Sequence, residues 1–84
     1  MTNKEILKKQ IIYRSMHRGS KEMDLLLGNF VKKNIDKFNN TELKDLAKLL
    51  SIDDEVIYKW YFEKNSNKTI QKTKVSAMLK NFKL

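Results

Sequence analysis

The chain has no cysteine, no proline and only two glycines in 84 residues. Without cysteine there is no disulfide, no thiolate nucleophile and no cysteine-bound metal. Without proline, helix ends must be set by capping side chains. The glycines, Gly19 and Gly28, stand too far apart for a phosphate-binding glycine-rich loop. Histidine occurs once, as His17. That is too few for a zinc site, and no Ser and Asp stand at readable partner positions for nucleophilic catalysis. Long hydrophobic runs are also missing. Leu25 to Leu27 and Trp60 to Phe62 are the longest kind, three residues each, and neither crosses a membrane. The opening MTNKEILKKQ carries an acid and no apolar stretch, unlike a secretory signal or a transit peptide. A cytoplasmic, bacterial location is the expectation.

What is present suits one small globular domain spanning residues 1–84. Apolar residues make up 40% of the chain, enough to argue against disorder. A chain this short buries only about two-thirds of its unfolded surface, so its core is small. The net charge is +8, which invites a nucleic-acid reading. The basic residues are sixteen Lys and two Arg, and the Lys are scattered. Bidentate phosphate and base recognition favours Arg. The charge is therefore read as solvated surface, and no nucleic-acid partner is expected.

The periodicity is helical throughout, with no sustained alternation and no hairpin turn. A first helix is expected from Asn3 to about Arg14, with Thr2 and Glu5 at capping-box spacing and Leu7 and Ile11 on one face. A second runs from Ser20 to about Lys37 and buries Met23, Leu26, Leu27, Phe30, Val31 and Ile35. Gly28 interrupts it at about 1 kcal/mol relative to Ala, which suggests a close helix neighbour. The third, Thr41 to Leu50, is capped by Asn39 with Glu42 and buries Leu43, Leu46, Ala47 and Leu50. Asp53 is expected to cap the fourth, which ends near Phe62 and offers Val56, Ile57, Trp60 and Tyr61 to the core. Residues 63–68 read as a loop. A fifth helix starts near Thr69, with Val75, Met78, Leu79 and Phe82 on one face. The expected fold class is all-α, a bundle of five short helices.

Two segments bear on function. Leu43 to Phe62 is similar to a helix-turn-helix, which makes a small DNA-binding protein the alternative reading. Its presumed recognition helix, however, opens with Asp53, Asp54 and Glu55, and carboxylates there repel phosphates. The same acids could hold a hard cation, but the helix dipole accounts for them without one. The second segment is the corner between the first two helices, where Arg14, His17, Arg18, Lys21, Glu22 and Asp24 crowd around Gly19. Gly19 allows a backbone geometry or a close approach that a Cβ would block. Arg18 and Glu22, four apart, could pair with each other or both point outward to a partner.

The run Tyr13-Arg14-Ser15, then Arg18-Gly19-x-x-Glu22, then Asp24-Leu25-Leu26-Leu27-Gly28-x-Phe30 resembles the succinate dehydrogenase assembly factors. These are flavinylation factors of bacteria and mitochondria. Leu43 to Leu50, the turn Asp53-Asp54 and Trp60 continue the resemblance. Departures are His17 where a second Arg is common, Ser20 where a Met is common, and no Pro or Gly after the fourth helix. The resemblance implies a five-helix, non-catalytic protein without a tightly bound cofactor or metal. It would bind the flavoprotein subunit of succinate dehydrogenase and, as some bacterial members do, that of fumarate reductase, and promote covalent attachment of FAD there. It implies that Arg18, Gly19 and Glu22 contact the partner, with Asp24, Arg14 and His17 around them. A monomer with no membrane insertion is the simplest expectation.

Overall fold

The computed structural model describes residues 2–65 and 69–83. Five α-helices follow one another: α1 (Asn3–Met16), α2 (Lys21–Asn34), α3 (Asn40–Leu50), α4 (Asp54–Phe62) and α5 (Lys74–Asn81). No strand occurs among the described residues. The all-α bundle is as expected.

Capping chemistry sets most of the boundaries. The Thr2 hydroxyl accepts from Glu5 N–H at 3.2 Å, which starts α1. Ser20 accepts from Met23 N–H and starts α2. Asn39 and Glu42 form the full reciprocal box that starts α3, at 2.8 and 2.9 Å. Each bond satisfies a backbone donor that the helix itself leaves orphaned.

Three expectations needed correction. The second helix does not run unbroken to Lys37. It changes at Asn34 to a 3-10 turn, Ile35–Lys37. The Asn34 side chain is buried and donates to the Phe30 carbonyl at 2.9 Å, so a side-chain amide competes for the helical ladder at the change. The fifth helix starts at Lys74 rather than near Thr69, because Thr73 and Ser76 form a capping box at that point. Ile70, 6% exposed, anchors the preceding segment instead of lying on a helix. Asp53 precedes α4, but its side chain makes no capping bond. Of the loop expected over 63–68, residues 66–68 lie outside the described residues.

One core cluster joins all five helices. Ile11 of α1, Met23, Leu26, Leu27, Phe30 and Val31 of α2, Leu43, Leu46, Leu49 and Leu50 of α3, Ile57 and Trp60 of α4, and Val75 and Leu79 of α5 are buried in it. Ala47, Val56, Tyr61, Met78 and Phe82 pack against it partly exposed. Phe82 meets Phe30 edge to face at 5.4 Å, and its carbonyl accepts from the Tyr61 hydroxyl. Lys80 stands 4.9 Å over the Trp60 ring, and Lys74 bridges to Glu42 at 3.2 Å. These contacts seat α5 against α2, α3 and α4.

The neighbour expected at Gly28 is α1. A Cβ there would stand 3.8 Å from the Ser15 carbonyl, an ordinary contact, so sterics alone do not require glycine. After α4 the backbone turns at Lys64 with φ of 56°. A glycine would reach that left-handed region without the steric penalty Lys carries.

Candidate functional site

Between α1 and α2 the chain turns through only four residues, 17–20. His17 closes α1. Its Nδ1–H donates to the Tyr13 carbonyl at 2.8 Å, and its ring stacks on Tyr13 at 4.0 Å. Ser20 opens α2. The two residues between them, Arg18 and Gly19, have no helix of their own to satisfy their N–H groups, and two carboxylates do so. Asp24 accepts from Arg18 N–H at 2.6 Å, and Asp54, at the start of α4, accepts from Gly19 N–H at 2.6 Å.

The Arg18 side chain turns inward. It is 9% exposed and reaches across to the α3–α4 junction. Its Nε and Nη2 lie 2.7 and 2.6 Å from Asp54 Oδ1. Its Nη1 donates to the Leu50 carbonyl at 2.6 Å and Nη2 to the Ile52 carbonyl at 3.0 Å. Leu50 ends α3, so the guanidinium caps a helix C-terminus, where carbonyls are orphaned and positive charge is favoured. The same group neutralises Asp54 in the first turn of α4. Arg18 thus pairs neither with Glu22 nor with solvent, which corrects both alternatives held for it.

This geometry also explains the acidic turn. Asp54 is drawn into the corner, so the three acids do not converge as a cation site. The first turn of α4 is tied to α1 and α2 by Arg18 rather than standing clear as a recognition helix. Nothing in the arrangement favours DNA binding.

Gly19 has an ordinary φ. Its requirement is the close approach. A Cβ would stand 3.1 Å from Asp54 Oδ2, tight enough that the carboxylate must yield. Gly19 is otherwise exposed on its outer side, as are Arg14, His17, Lys21 and Glu22. The side chains of Arg14, Lys21 and Glu22 take part in no ion pair among the described residues. Asp24 is partly buried and committed to the Arg18 N–H. The six residues singled out in the sequence therefore do come together, but in two roles. Arg18 and Asp24 build the corner from inside, while Gly19, Glu22, Arg14 and His17 face outward.

Sequence reasoning missed the apolar flank of the corner. Tyr13 is 64% exposed, Met16 58% and Leu25 51%. Met16 and Leu25 line a groove of about 510 Å³ between α1 and α2, which Asp24 also lines. Leu25 carried a readable signal, since it falls off the stripe of Met23, Leu26, Leu27 and Phe30. Asp54 was marked by the acidic turn but not as a partner of the corner, because its contacts lie 35 and 36 residues away.

The family model described as the flavinator of succinate dehydrogenase, Sdh5, matches residues 9–83. The mitochondrial succinate dehydrogenase assembly factor 2 of Dictyostelium discoideum is 42% identical over 60 residues, 71% of this chain and 43% of that protein. The FAD assembly factor SdhE of Wigglesworthia glossinidia brevipalpis is 38% identical over 55 residues, 66% of each. That of Acetobacter pasteurianus is 34% identical over 55 residues, 66% of this chain and 50% of the relative. The match thus spans less than half the length of the Dictyostelium discoideum relative, 43%, and of the mitochondrial succinate dehydrogenase assembly factor 2 of Arabidopsis thaliana, 32%. No solved structure matches the chain.

Proposed function

The chain belongs to the family of flavinators of succinate dehydrogenase, and from that premise we propose that it binds the flavoprotein subunit of succinate dehydrogenase and promotes covalent attachment of FAD to it. The supporting observation is the corner at Arg18 and Gly19. Its interior is fully paired, while Gly19, Lys21 and Glu22 face solvent beside exposed Tyr13, Met16 and Leu25. A rigid corner of this kind suits docking, because little freedom is lost on binding.

The chain acts here as a binding protein and not as an enzyme. The flavin carries the bond-forming chemistry, and protein groups supply alignment. By binding the flavoprotein conformation in which flavin and target side chain are aligned more tightly than others, the chain raises the population of that conformation. Gly19 gives the partner's backbone close access, and Glu22 offers a charge-assisted contact. Arg14 and His17 form the rim, and Arg18 and Asp24 hold the shape. The same face serves the flavoprotein subunit of fumarate reductase. The chain works as a monomer in the bacterial cytoplasm and holds no FAD tightly itself. No helix among the described residues is long and apolar enough to cross a membrane.

The test is reconstitution. Apo-flavoprotein subunit and FAD are incubated with and without the chain, and covalent flavin is read by in-gel fluorescence. The wild-type chain raises the signal. Gly19→Arg stays helical by circular dichroism, because the added Cβ meets only the Asp54 carboxylate and no core side chain, and gives no stimulation. Unimpaired incorporation with a folded Gly19→Arg variant overturns the assignment of this face.

A further inference from the structure

Asp54 stands outside the Arg-Gly-x-x-Glu segment, on another helix, and both of its carboxylate oxygens are engaged by that segment. Oδ1 takes Nε and Nη2 of Arg18 at 2.7 and 2.6 Å. Oδ2 takes the Gly19 N–H at 2.6 Å. A carboxylate in the first turn of a helix is stabilised by the dipole and by water alone. Nothing about starting α4 requires Asp54 to turn to α1 and α2. Its neighbours Asp53 and Glu55 show the difference: both are exposed, and Glu55 pairs only with Lys59 of its own helix at 3.1 Å.

We propose that Asp54 is a positioning residue for partner docking: from α4 it sets the orientation of the Gly19 backbone, and so of the outward face, without itself touching the partner. This rests on the reading that the corner binds the flavoprotein subunit. Two carboxylates fix the successive peptides that enter Arg18 and Gly19. Asp24 holds one N–H from α2, and Asp54 holds the next from α4. Arg18 keeps its bonds to the Leu50 and Ile52 carbonyls whether or not Asp54 is present, so α3 stays attached to the corner. Gly19 has no such second anchor. Losing the Asp54 carboxylate therefore loosens Gly19 more than it loosens the bundle. Binding weakens in proportion to the lost fraction of molecules with the competent corner.

Asp54→Asn separates the roles. An amide keeps the shape but offers one acceptor oxygen, so it serves Arg18 or Gly19 but not both. The full chain is used in three measurements: thermal melting, the Gly19 amide resonance in a 15N-labelled sample, and the dissociation constant for the apo-flavoprotein subunit at a temperature where the variant is folded. The Gly19 amide moves from its wild-type position, and affinity falls about tenfold, the loss expected if about one molecule in ten keeps the competent corner. A core variant such as Leu79→Val supplies the comparison. It lowers the melting temperature but leaves the Gly19 resonance and the affinity unchanged. If Asp54→Asn does not fold, Asp54→Glu decides, since it keeps the charge for Arg18 but displaces the oxygen at Gly19 and also weakens binding. Wild-type affinity in a folded Asp54 variant, or an equal loss of affinity in the core variant, overturns the positioning role. Failure of the wild-type chain to bind the flavoprotein overturns the underlying reading instead.

Discussion

Glu22 and Arg18 are four residues apart and carry opposite charge, yet they have separate fates. Arg18 is drawn inward because four acceptors await it: the Asp54 carboxylate and the carbonyls of Arg14, Leu50 and Ile52. An arginine with several partly buried acceptors gains more there than from a surface pair, which contributes roughly 0–1 kcal/mol. Glu22 is left without an ion-pair partner among the described residues in the first turn of α2, where the dipole tolerates it but gives only a few tenths of a kcal/mol. Glu22→Ala is thus expected to change stability by less than about 0.5 kcal/mol. The same variant should abolish most stimulation of flavin attachment in the reconstitution. A fall in melting temperature matching the loss of stimulation would show that Glu22 supports the fold instead. The sequence made Gly19 readable because it interrupts the local helical pattern, and Glu22 through its place in Arg-Gly-x-x-Glu. It could not show that Arg18 faces inward, because its acceptors at Leu50, Ile52 and Asp54 are distant along the chain.

At the scale of elements, local chemistry carried the reading well where a boundary has a local cause. Asn39 with Glu42 marked the start of α3, and the reciprocal box is there. It failed where a boundary is made by a side chain acting out of pattern, as with Asn34 ending α2, or by a competing cap, as with Thr73 delaying α5. Glu42 does more than start its helix. Its carboxylate accepts from the Asn39 N–H and pairs with Lys74 at the start of α5. The Asn39 backbone bond and then Lys74 hold its pKa below the ordinary glutamate value. Since the folded pKa is the lower one, the stabilisation is complete above the unfolded value and disappears as pH falls through the folded one. Glu42→Gln keeps an acceptor for the cap but loses the charge. The wild type should therefore melt above the variant near pH 7, and the gap should narrow as pH falls below the ordinary glutamate value. A gap independent of pH would mean that shape and not charge links α3 to α5.

The whole molecule has one small core and one corner attached to it, and these can be damaged independently. Leu46 is fully buried in α3, and the outward face of the corner contains no core residue. Leu46→Ala removes buried methyl groups and leaves a cavity, at about 3 kcal/mol. A domain of this size has only about 5–15 kcal/mol of total stability. With a shift of about 4–8 °C per kcal/mol, the melting temperature should fall by roughly 12–24 °C. Arg18 spans from the corner to the α3–α4 junction, so a cavity in α3 could in principle reach Gly19. The link, however, is made to the backbone carbonyls of Leu50 and Ile52 and to a carboxylate in α4, none of which depends on the Leu46 side chain. At a temperature where the variant is still folded, Leu46→Ala should therefore bind the flavoprotein subunit within about twofold of wild type, as expected for sites without shared partners. Glu22→Ala should show the reverse pattern, with unchanged melting and lost stimulation. Loss of affinity by folded Leu46→Ala would mean that the core and the corner form one cooperative unit, and the docking face would then extend through the bundle.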